Sequence, residues 1–385
     1  MAQAIVIGAG PGGLAVAAML QTRAGLSVHV LERADRLGAA WHRHYDGLKL
    51  HTARTRSSLP GLPMPTDYPR FPTREQVVAY LDSYARHFAL DIRAGATVER
   101  IAETSGGWRV EWEGGSETAG IVVVATGLNN QPVQPELPGF TGQVLHSSVY
   151  RRPDAFRGQR VLVVGLGNSG GDIAVQLAEA GIDVALSVRS PVNLVPKTLF
   201  GVPVTSLGLL RQVLGAKAAD RAAAPLFRRS IGRPEDYGLR QHPKGPMQRL
   251  VEDGRVPLID PGVLPLISAG SVAVRAGIEA ASGHDIRFAD GRTESFDAVI
   301  WATGYKVDLR PILGARDDVL DKEGRPLVVG EPTAARGLYF VGLRAAPEGQ
   351  LRRLGIEAKA VAASARKLRV LDTKPPAGGN RRAEV

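Results

Sequence analysis

The sequence predicts an α/β fold built on two βαβ units, and three observations carry this prediction. An apolar run enters a glycine-rich turn at residues 8–13, and an Ala/Leu-rich stretch of helical character follows it. The same order recurs around a second glycine-rich turn at residues 165–170. In each copy a second apolar run leads to a charged residue twenty-four positions after the first glycine, Glu32 in one and Arg189 in the other. A G-x-G-x-x-G turn between a strand and a helix is typical of a Rossmann-like dinucleotide-binding domain.

The two turns predict binding of two different dinucleotides. The first glycine permits a tight bend, the second lets a pyrophosphate approach, and the third lets helix and strand pack closely. A carboxylate at Glu32 suits a ribose diol, whereas the guanidinium of Arg189 suits a 2′-phosphate. We therefore predict two nested Rossmann-like dinucleotide-binding domains, an FAD domain interrupted by an NADPH domain. The alternative for Arg189 is a surface arginine at a strand end, but Ser190 beside it and the match with Glu32 favour phosphate binding.

Composition excludes several classes of protein. The chain has 385 residues, of which 44% are hydrophobic and 22% charged, as in ordinary globular proteins. It contains no cysteine, which excludes disulfides, thiolate metal sites, cysteine nucleophiles and the redox dithiol of flavin disulfide reductases. No His/Asp/Glu cluster has the spacing of metal ligands, so no metal is predicted. Molecular oxygen or a small molecule is left as the expected electron acceptor.

Charge and hydropathy set the expected surroundings of the protein. The net charge is +10, but Lys and Arg are scattered and no aromatic platform motif accompanies them, so we expect no nucleic-acid partner. No apolar run approaches the roughly 20 residues that cross a bilayer, and the N-terminus lacks the basic region of a signal peptide. We therefore expect a cytoplasmic protein without a membrane partner. The sequence leaves the oligomeric state open, with a homodimer among the alternatives.

Local patterns predict the elements between the two turns. Thr73 and Gln76 form a capping-box pattern, which predicts a helix over residues 73–89. Alternating polar and apolar residues predict antiparallel strands within 96–124. The Pro-rich stretch 131–138 then marks the exit from the first domain.

The rest of the chain continues the second domain and returns to the first. Residues 200–255 are helical and irregular, with Pro and Gly interruptions, and strand-like segments follow at 270–301. A last strand at 338–342 precedes a helix from about residue 350 to 368. The predicted boundaries are an FAD domain of residues 1–150 and 297–371, an NADPH domain of residues 151–296, and a disordered tail of residues 372–385. The Ala-Thr-Gly turns at 125–127 and 302–304 each end an apolar strand and mark the expected crossings between domains, or are plain strand-ending turns.

A third motif gives the chain a resemblance to a known family. Phe140, Gly142, His146 and Tyr150 match the F-x-G-x-x-x-H-x-x-x-Y signature of the class B flavin-dependent monooxygenases. With both nucleotide turns, the chain resembles this superfamily across about residues 1–370. Within it, the chain is most similar to the YUCCA-type indole-3-pyruvate monooxygenases, through segments at 45–51, 237–240, 245–246, 260–262 and 301–305. Tyr150 separates it from the Baeyer–Villiger members, which carry Trp there.

The resemblance implies which residues bind the two cofactors. Those implied for FAD and NADPH are Gly8, Gly10, Pro11, Gly12, Gly13, Glu32, Arg33, Gly38, Trp41, His42, Val98, Ala125, Thr126, Gly127, Gly165, Gly167, Asn168, Ser169, Gly170, Arg189, Ser190, Ala302, Thr303, Gly304, Gly342, Gln350 and Leu351. Trp41 is expected to pack against the flavin, with an ordinary core position as the alternative.

Two histidines are candidates for a catalytic role beside a flavin that does most of the chemistry. His51 stands where the mammalian-type monooxygenases place an Asn near the flavin, and YUCCA-like sequences share this His. His146 could serve as a general base or could fix the interdomain linker by hydrogen bonds, and we favour the linker. Arg240, Lys244 and Lys49 are candidates to meet a substrate carboxylate, although we favour a solvated surface charge for each of them.

The resemblance also implies a reaction. NADPH would reduce FAD, and the reduced flavin would react with O₂ to give a C4a-(hydro)peroxyflavin that oxygenates a small substrate. Oxidative decarboxylation of an α-keto acid such as indole-3-pyruvate is the leading expectation. The alternatives are N- or S-oxygenation of a soft nucleophile, an NADPH oxidase or electron-transfer flavoprotein, and a nucleotide-binding module without catalysis.

Overall fold

The structure is a computed structural model that describes residues 3–204, 214–346 and 348–372. Its helices are α1 Pro11–Ala24, α2 Ala39–Arg43, α3 Arg74–His87, α4 Asn168–Glu179, α5 Ala216–Ile231, α6 Pro246–Asp253, α7 Val263–Ser268, α8 Arg310–Leu313 and α9 Gln350–Asp372. Its strands are β1 Ala4–Ile7, β2 Val28–Leu31, β3 Asp91–Arg93, β4 Val98–Thr104, β5 Gly107–Trp112, β6 Gly115–Ala119, β7 Ile121–Val124, β8 Gln131–Pro132, β9 Gln143–His146, β10 Arg160–Val164, β11 Asp183–Ser187, β12 Leu194–Val195, β13 Thr198–Leu199, β14 Val202–Pro203, β15 Leu258–Ile259, β16 Val272–Arg275, β17 Ile278–Ser282, β18 Asp285–Phe288, β19 Thr293–Ser295, β20 Ala298–Trp301, β21 Tyr305–Lys306 and β22 Leu338–Phe340.

The first domain is built on a parallel sheet in the order β22-β7-β1-β2-β3. Strands β1 and β7 are buried on both faces, as expected of strands covered by helices on one side and a second layer on the other. Helices α1, α3 and α9 contribute to one apolar core against this sheet. The antiparallel meander β4-β5-β6 contributes to a second core, on the opposite face.

The second domain repeats this plan. Its parallel sheet runs β16-β11-β10-β20-β9, and an antiparallel meander β17-β18-β19 accompanies it. In both sheets the strand that enters the glycine turn is central, and the strand after the helix lies on one side of it. The α/β prediction with two nested Rossmann-like domains is therefore confirmed.

The strand pairing differs from the predicted boundaries at residues 150 and 297. Strand β9 precedes residue 150 and β20 follows residue 297, yet both lie in the second sheet, where β20 pairs with β10 and β9 pairs with β20. A fully apolar strand such as β20 fits the centre of either parallel sheet, so its composition does not reveal which sheet it joins.

The chain crosses between the two domains at one place. Strand β8 follows the turn at residues 125–127 and pairs antiparallel with β21, which follows the turn at residues 302–304. The amide of Val133 donates to the carbonyl of Gly304, and the Thr303 hydroxyl donates to the carbonyl of Val133. The two crossing segments are therefore tied to each other by backbone and side-chain hydrogen bonds.

Local predictions outside the sheets agree closely with the structure. The Thr73 hydroxyl accepts from the Gln76 amide and the Gln76 side chain accepts from the Thr73 amide, so the predicted capping box of α3 is confirmed. Helix α9 is longer than predicted and ends at Asp372; residues 373–385 of the predicted disordered tail lie outside the described residues. In the part of the chain that the structure describes, none of the helices combines the length and apolar character needed to span a bilayer.

Candidate active site

The first glycine turn has the geometry of a phosphate cradle. Gly8 has a φ of +104°, and a Cβ there would lie 2.6 Å from the carbonyl oxygen of Ala125. A Cβ at Gly13 would lie 1.7 Å from the carbonyl oxygen of Gly8, so helix α1 approaches the turn too closely for any side chain. A Cβ at Gly10, in contrast, would meet nothing within 4 Å. The N-terminus of α1 has no side-chain cap and no acidic residue in its first turn, which leaves its N–H groups available for an anion.

The second glycine turn repeats this geometry almost atom for atom. Gly165 also has a φ of +104°, and its Cβ would lie 2.8 Å from the carbonyl oxygen of Ala302. A Cβ at Gly170 would lie 2.0 Å from the carbonyl oxygen of Gly165, whereas one at Gly167 would meet nothing within 4 Å. The N-terminus of α4 likewise lacks a side-chain cap and an acidic first turn. Both turns therefore combine two glycines required by the fold with one that faces open space.

Glu32 is held at the edge of the first turn. One carboxylate oxygen accepts from the Ala9 amide at 2.7 Å and the other from the Ala34 amide at 3.0 Å. The side chain is buried, and each oxygen keeps further acceptor capacity for a ribose hydroxyl. The amide of Gly38 donates to the carbonyl of Ala9, which brings the segment containing Trp41 and His42 to the same turn. These contacts fit the dinucleotide expected there.

Arg189 is exposed at the end of β11, and the structure shows what surrounds it. A Cβ at Gly277 would lie 2.7 Å from the Cβ of Arg189, so Gly277 makes room for this side chain. Within the described residues the Arg189 guanidinium has neither an ion pair nor a hydrogen bond. The guanidinium of Arg240 donates to the backbone carbonyl of Arg189. Arg240 is itself exposed beside Arg189, which agrees with the surface charge that we favoured for it.

Among the other predicted cofactor residues, three have a structural contact of their own. The Oδ1 atom of Asn168 accepts from the amide of Ile259, so this side chain holds strand β15 and keeps its Nδ2 donors for another partner. Gly342 donates its amide to the buried Glu357, and Leu351 is buried in the first core. Pro11 and Gly12 begin α1, Gln350 begins α9, Ser169 lies in the first turn of α4, Val98 begins β4, and Arg33 and Ser190 are exposed.

His146 is fixed at the domain crossing by both ring nitrogens. Its Nδ1 accepts from the Ser148 amide at 3.0 Å, which places the proton on Nε2, and Nε2 donates to the Gly304 carbonyl at 3.1 Å. The ring is 2% exposed and packs edge-on against Tyr305. Burial lowers the pKa of His146, while the bond to Gly304 raises it. This geometry favours the linker interpretation, because neither nitrogen is free to act as a base.

Gly142 and Tyr150 of the Phe140–Tyr150 motif also make structural contacts with the second domain. A Cβ at Gly142 would lie 2.5 Å from the Asp297 carbonyl oxygen and 2.6 Å from the Phe140 ring. Tyr150 is 1% exposed, and its hydroxyl donates to the Gln176 side chain at 3.3 Å. The motif therefore anchors strand β9 and the loop after it to the second domain.

A polar cluster joins the two domains where sequence reasoning predicted only His51. The hydroxyl of Tyr45 donates to Asp172 Oδ2 at 2.6 Å, and His51 Nε2 lies 3.3 Å from the same oxygen. We call Tyr45, His51 and Asp172 the interface cluster. Burial raises the pKa of Tyr45, and the neighbouring Asp172 raises it further, so Tyr45 stays protonated. His51 Nδ1 is buried without a hydrogen-bond partner among the described residues.

The interface cluster lies beside the start of α9. A Cβ at Gly349 would lie 2.7 Å from the side chain of Thr52, the residue after His51. The segment 51–52 thus contacts the first domain at α9 and the second domain at Asp172, which lies in α4.

The basic residues that were candidates to bind a substrate carboxylate lie in different surroundings. Lys244 pairs with Glu252 and Asp253 on the surface, which agrees with the surface charge that we favoured for it. Lys49 lies two residues before His51 and is exposed. Lys197, which sequence reasoning missed, stands beside Lys49 and Asp172; burial lowers its pKa, Asp172 raises it and Lys49 lowers it again. Only the tertiary structure brings these residues together, so no sequence signal indicated Lys197.

His44 follows helix α2, and its carbonyl accepts from the Arg151 side chain. We expect this histidine to make the stability of the fold fall at acidic pH. Burial lowers the pKa of His44 to about 4, and the charges of Arg74, Arg43 and Arg151 lower it further. Between pH 6.5 and about 4 the unfolded chain binds a proton that the folded chain does not, so stability falls as the pH falls. We expect a loss on the order of 3 kcal/mol from this group.

The test compares the pH dependence of unfolding free energy in the native protein and in His44→Phe. The variant should lose less stability than the native protein on acidification from pH 7 to pH 4. His87→Gln, at an exposed position in α3, serves as the control and should behave like the native protein. Parallel stability curves for the native protein and His44→Phe would contradict the prediction.

Comparisons with known proteins agree with this geometry. A family described as pyridine nucleotide-disulphide oxidoreductase matches residues 5–198. The chain is 38% identical over 350 residues to the indole-3-pyruvate monooxygenase YUCCA1 of Oryza sativa subsp. japonica, covering 88% of this chain and 86% of that protein. It is 35% identical to the probable indole-3-pyruvate monooxygenase YUCCA4 of Arabidopsis thaliana, covering 88% and 84%. A mutant of the flavin monooxygenase from Stenotrophomonas maltophilia has a similar structure, with a TM-score of 0.74, 25% identity and coverage of 95% and 98%.

Proposed function

Because the chain belongs to the YUCCA-type flavin-dependent monooxygenases, we propose that it oxidatively decarboxylates an α-keto acid such as indole-3-pyruvate. The chain is an oxidoreductase with FAD and NADPH as cofactors, and it acts on O₂ and a small organic substrate. The observation that carries the substrate proposal is the identity of 38% over 88% of the chain to a relative named for indole-3-pyruvate. The interface cluster between the two nucleotide sites supports it.

The proposed reaction balances without any further reactant. An α-keto acid, O₂, NADPH and a proton give the acid shortened by one carbon, CO₂, NADP⁺ and water. One oxygen atom of O₂ enters the new carboxyl group and the other leaves as water. When bound, FAD takes a hydride from NADPH and activates O₂, and the protein positions the reactants and excludes water.

The first domain holds FAD through the turn at residues 8–13. The open space beside Gly10 and the uncapped N-terminus of α1 suit the pyrophosphate, because backbone N–H groups and the helix dipole favour an anion there. Glu32 suits the ribose hydroxyls of the adenosine half. Trp41 packs partly buried against the first core, with its ring edge-on to His44 at 5.5 Å.

The second domain holds NADPH in the same manner. The space beside Gly167 and the N-terminus of α4 suit the pyrophosphate of this second dinucleotide. The unpaired Arg189 suits its 2′-phosphate, since a guanidinium binds phosphate oxygens through paired N–H donors. Arg240 adds a second positive charge beside the same position.

His51 is the residue we assign to proton handling. His51 Nε2 lies 3.3 Å from Asp172 Oδ2, which orients the ring, and Nδ1 is buried without a hydrogen-bond partner among the described residues. Tyr45 donates to the same carboxylate oxygen and so holds Asp172 in place. His51 would take or hold a proton at Nδ1 next to the bound substrate. His146 is a positioning residue at the crossing between the domains.

The experiment follows products and NADPH together. Purified FAD-loaded enzyme with NADPH and indole-3-pyruvate should form indole-3-acetate and CO₂ in proportion to the NADPH oxidised. A thioether and a tertiary amine, tested under the same conditions, should give little oxygenated product. Oxygenation of the thioether or amine without decarboxylation of the keto acid would favour N- or S-oxygenation. Hydrogen peroxide alone, with every substrate, would indicate an NADPH oxidase.

Several expectations about the surroundings of the enzyme stay predictions. These are a cytoplasmic location, the absence of nucleic-acid and membrane partners, and the oligomeric state, for which a homodimer is one alternative. Size-exclusion chromatography with light scattering would measure the mass of the particle directly.

A further inference from the structure

We propose that Lys197 binds the carboxylate of the substrate, with Lys49 as a second cation at the mouth of the site. The inference rests on the proposed function for the identity of the keto acid. The binding of a carboxylate at Lys197 is tested separately.

The first observation is that Lys197 is a partly buried cation with no ion-pair partner. Its ammonium group lies 4.7 Å from the centre of the Phe71 ring, which is a cation–π contact across the two domains. No Asp or Glu oxygen lies within ion-pair distance of it among residues 3–204, 214–346 and 348–372. Withdrawing a lysine from water without a carboxylate costs free energy, and an incoming anion would offset that cost.

The second observation is the charge around Lys197. Lys49 is near enough to lower the pKa of Lys197 by repulsion, and burial lowers it more strongly. Asp172 is the neighbouring acid that raises it, but Asp172 Oδ2 already faces the Tyr45 hydroxyl and His51 Nε2. Lys197 and Lys49 together carry two positive charges, and Asp172 supplies one negative charge near them. The net positive charge that is left would be neutralised by an incoming carboxylate.

The third observation is the position of this charge. The Leu50 amide donates to the Pro72 carbonyl, and the backbones of Lys49 and Thr73 form an antiparallel β-bridge. The segment that carries His51 therefore runs beside Phe71. Lys197 lies on the Phe71 ring from the second domain. The unpaired cation therefore lies beside the segment that carries His51.

The chemistry of the lining fits an aromatic acid. Lys197 and Lys49 supply the positive charge for the carboxylate, and the Phe71 ring, over which both Lys197 and the Arg70 guanidinium lie, places an aromatic group beside them. The phosphates of NADPH have their own candidates in the turn at residues 165–170 and in Arg189. A site for a separate anion remains at the domain interface.

The experiment measures binding to the FAD-loaded enzyme by isothermal titration calorimetry. Indole-3-lactate carries the carboxylate but lacks the keto group, and indole-3-ethanol lacks the carboxylate. Lys197→Met keeps the length of the side chain and removes its charge, whereas Lys197→Arg keeps the charge. Lys244→Met is the matched control, since Lys244 is paired with acids on the surface.

We expect Lys197→Met to weaken indole-3-lactate binding about tenfold or more, as loss of one charge-assisted contact would do. Binding of indole-3-ethanol and the KM for NADPH should change less than about twofold, which is within ordinary mutational scatter. Lys197→Arg should keep most of the affinity, and Lys244→Met should bind like the native enzyme.

Three results would overturn the proposal. The first is native-like binding of indole-3-lactate by Lys197→Met. The second is an equal loss of affinity for indole-3-lactate and indole-3-ethanol. The third is a variant whose KM for NADPH rises while its affinity for indole-3-lactate is unchanged. Native enzyme that binds no indole-3-lactate would also count against it. If Lys197 governs acid binding but indole-3-pyruvate is not decarboxylated, the carboxylate site stands and the proposed function falls.

Discussion

Replacing Gly10 by valine should give a folded protein that has lost FAD. A side chain at Gly10 meets no atom of the protein within 4 Å of its Cβ, and its extended φ of −79° is open to any residue. The valine would fill the space beside the N-terminus of α1 that suits the pyrophosphate. Loss of the backbone hydrogen bonds to this group should weaken FAD binding about a hundredfold or more. Flavin absorbance of the purified protein and its thermal unfolding would measure both effects.

Two further variants, one in each glycine turn, serve as controls. Gly167→Val occupies the equivalent open space in the second domain, so it should keep FAD and lose NADPH. Gly13→Ala should fail to fold, because its Cβ would lie 1.7 Å from the Gly8 carbonyl oxygen. A yellow Gly10→Val enzyme with native FAD affinity would contradict the pyrophosphate assignment, as would FAD loss from Gly167→Val.

Replacing Arg189 by alanine should raise the KM for NADPH about tenfold to a hundredfold and leave the KM for NADH nearly unchanged. The expected effect follows from about 1.5–3 kcal/mol for a hydrogen bond to a charged group. Because the guanidinium has no partner among the described residues, its loss should leave the fold intact. Steady-state kinetics with the two nucleotides, together with thermal unfolding, would measure these outcomes.

Arg287→Ala is the matched control for Arg189. Arg287 is an exposed arginine in the meander of the same domain, paired with Glu279. Its removal should alter neither KM. An equal rise in the KM for NADPH and NADH in Arg189→Ala would show that Arg189 binds a group other than the 2′-phosphate.

The nucleotide turns could be predicted from sequence because their pattern of glycines is local. Gly8 and Gly165 share a φ of +104°, and each packs its turn against the carbonyl of a residue at the end of a neighbouring strand. These requirements leave glycine as the only residue that fits, and they recur at fixed spacing in the chain. The capping box at Thr73 is local in the same way.

The domain boundaries and the interface could not be predicted because they depend on long-range pairing. Strand β20 is apolar on both faces, so its composition is compatible with either sheet. Asp172 and Lys197 carry no local pattern, and only the packing of two domains brings them to His51 and Phe71. Arg240 and Lys244 show the converse, since two residues that were candidates for the same role lie apart, one beside Arg189 and the other in a surface ion pair.

The most direct test of the account is one measurement with ¹⁸O₂. FAD-loaded enzyme, NADPH and indole-3-pyruvate are incubated under ¹⁸O₂ with catalase, which removes any free hydrogen peroxide that could decarboxylate the keto acid by itself. We expect indole-3-acetate that carries one ¹⁸O atom in its carboxyl group, formed in proportion to the NADPH oxidised. NADPH oxidation without labelled indole-3-acetate would contradict it.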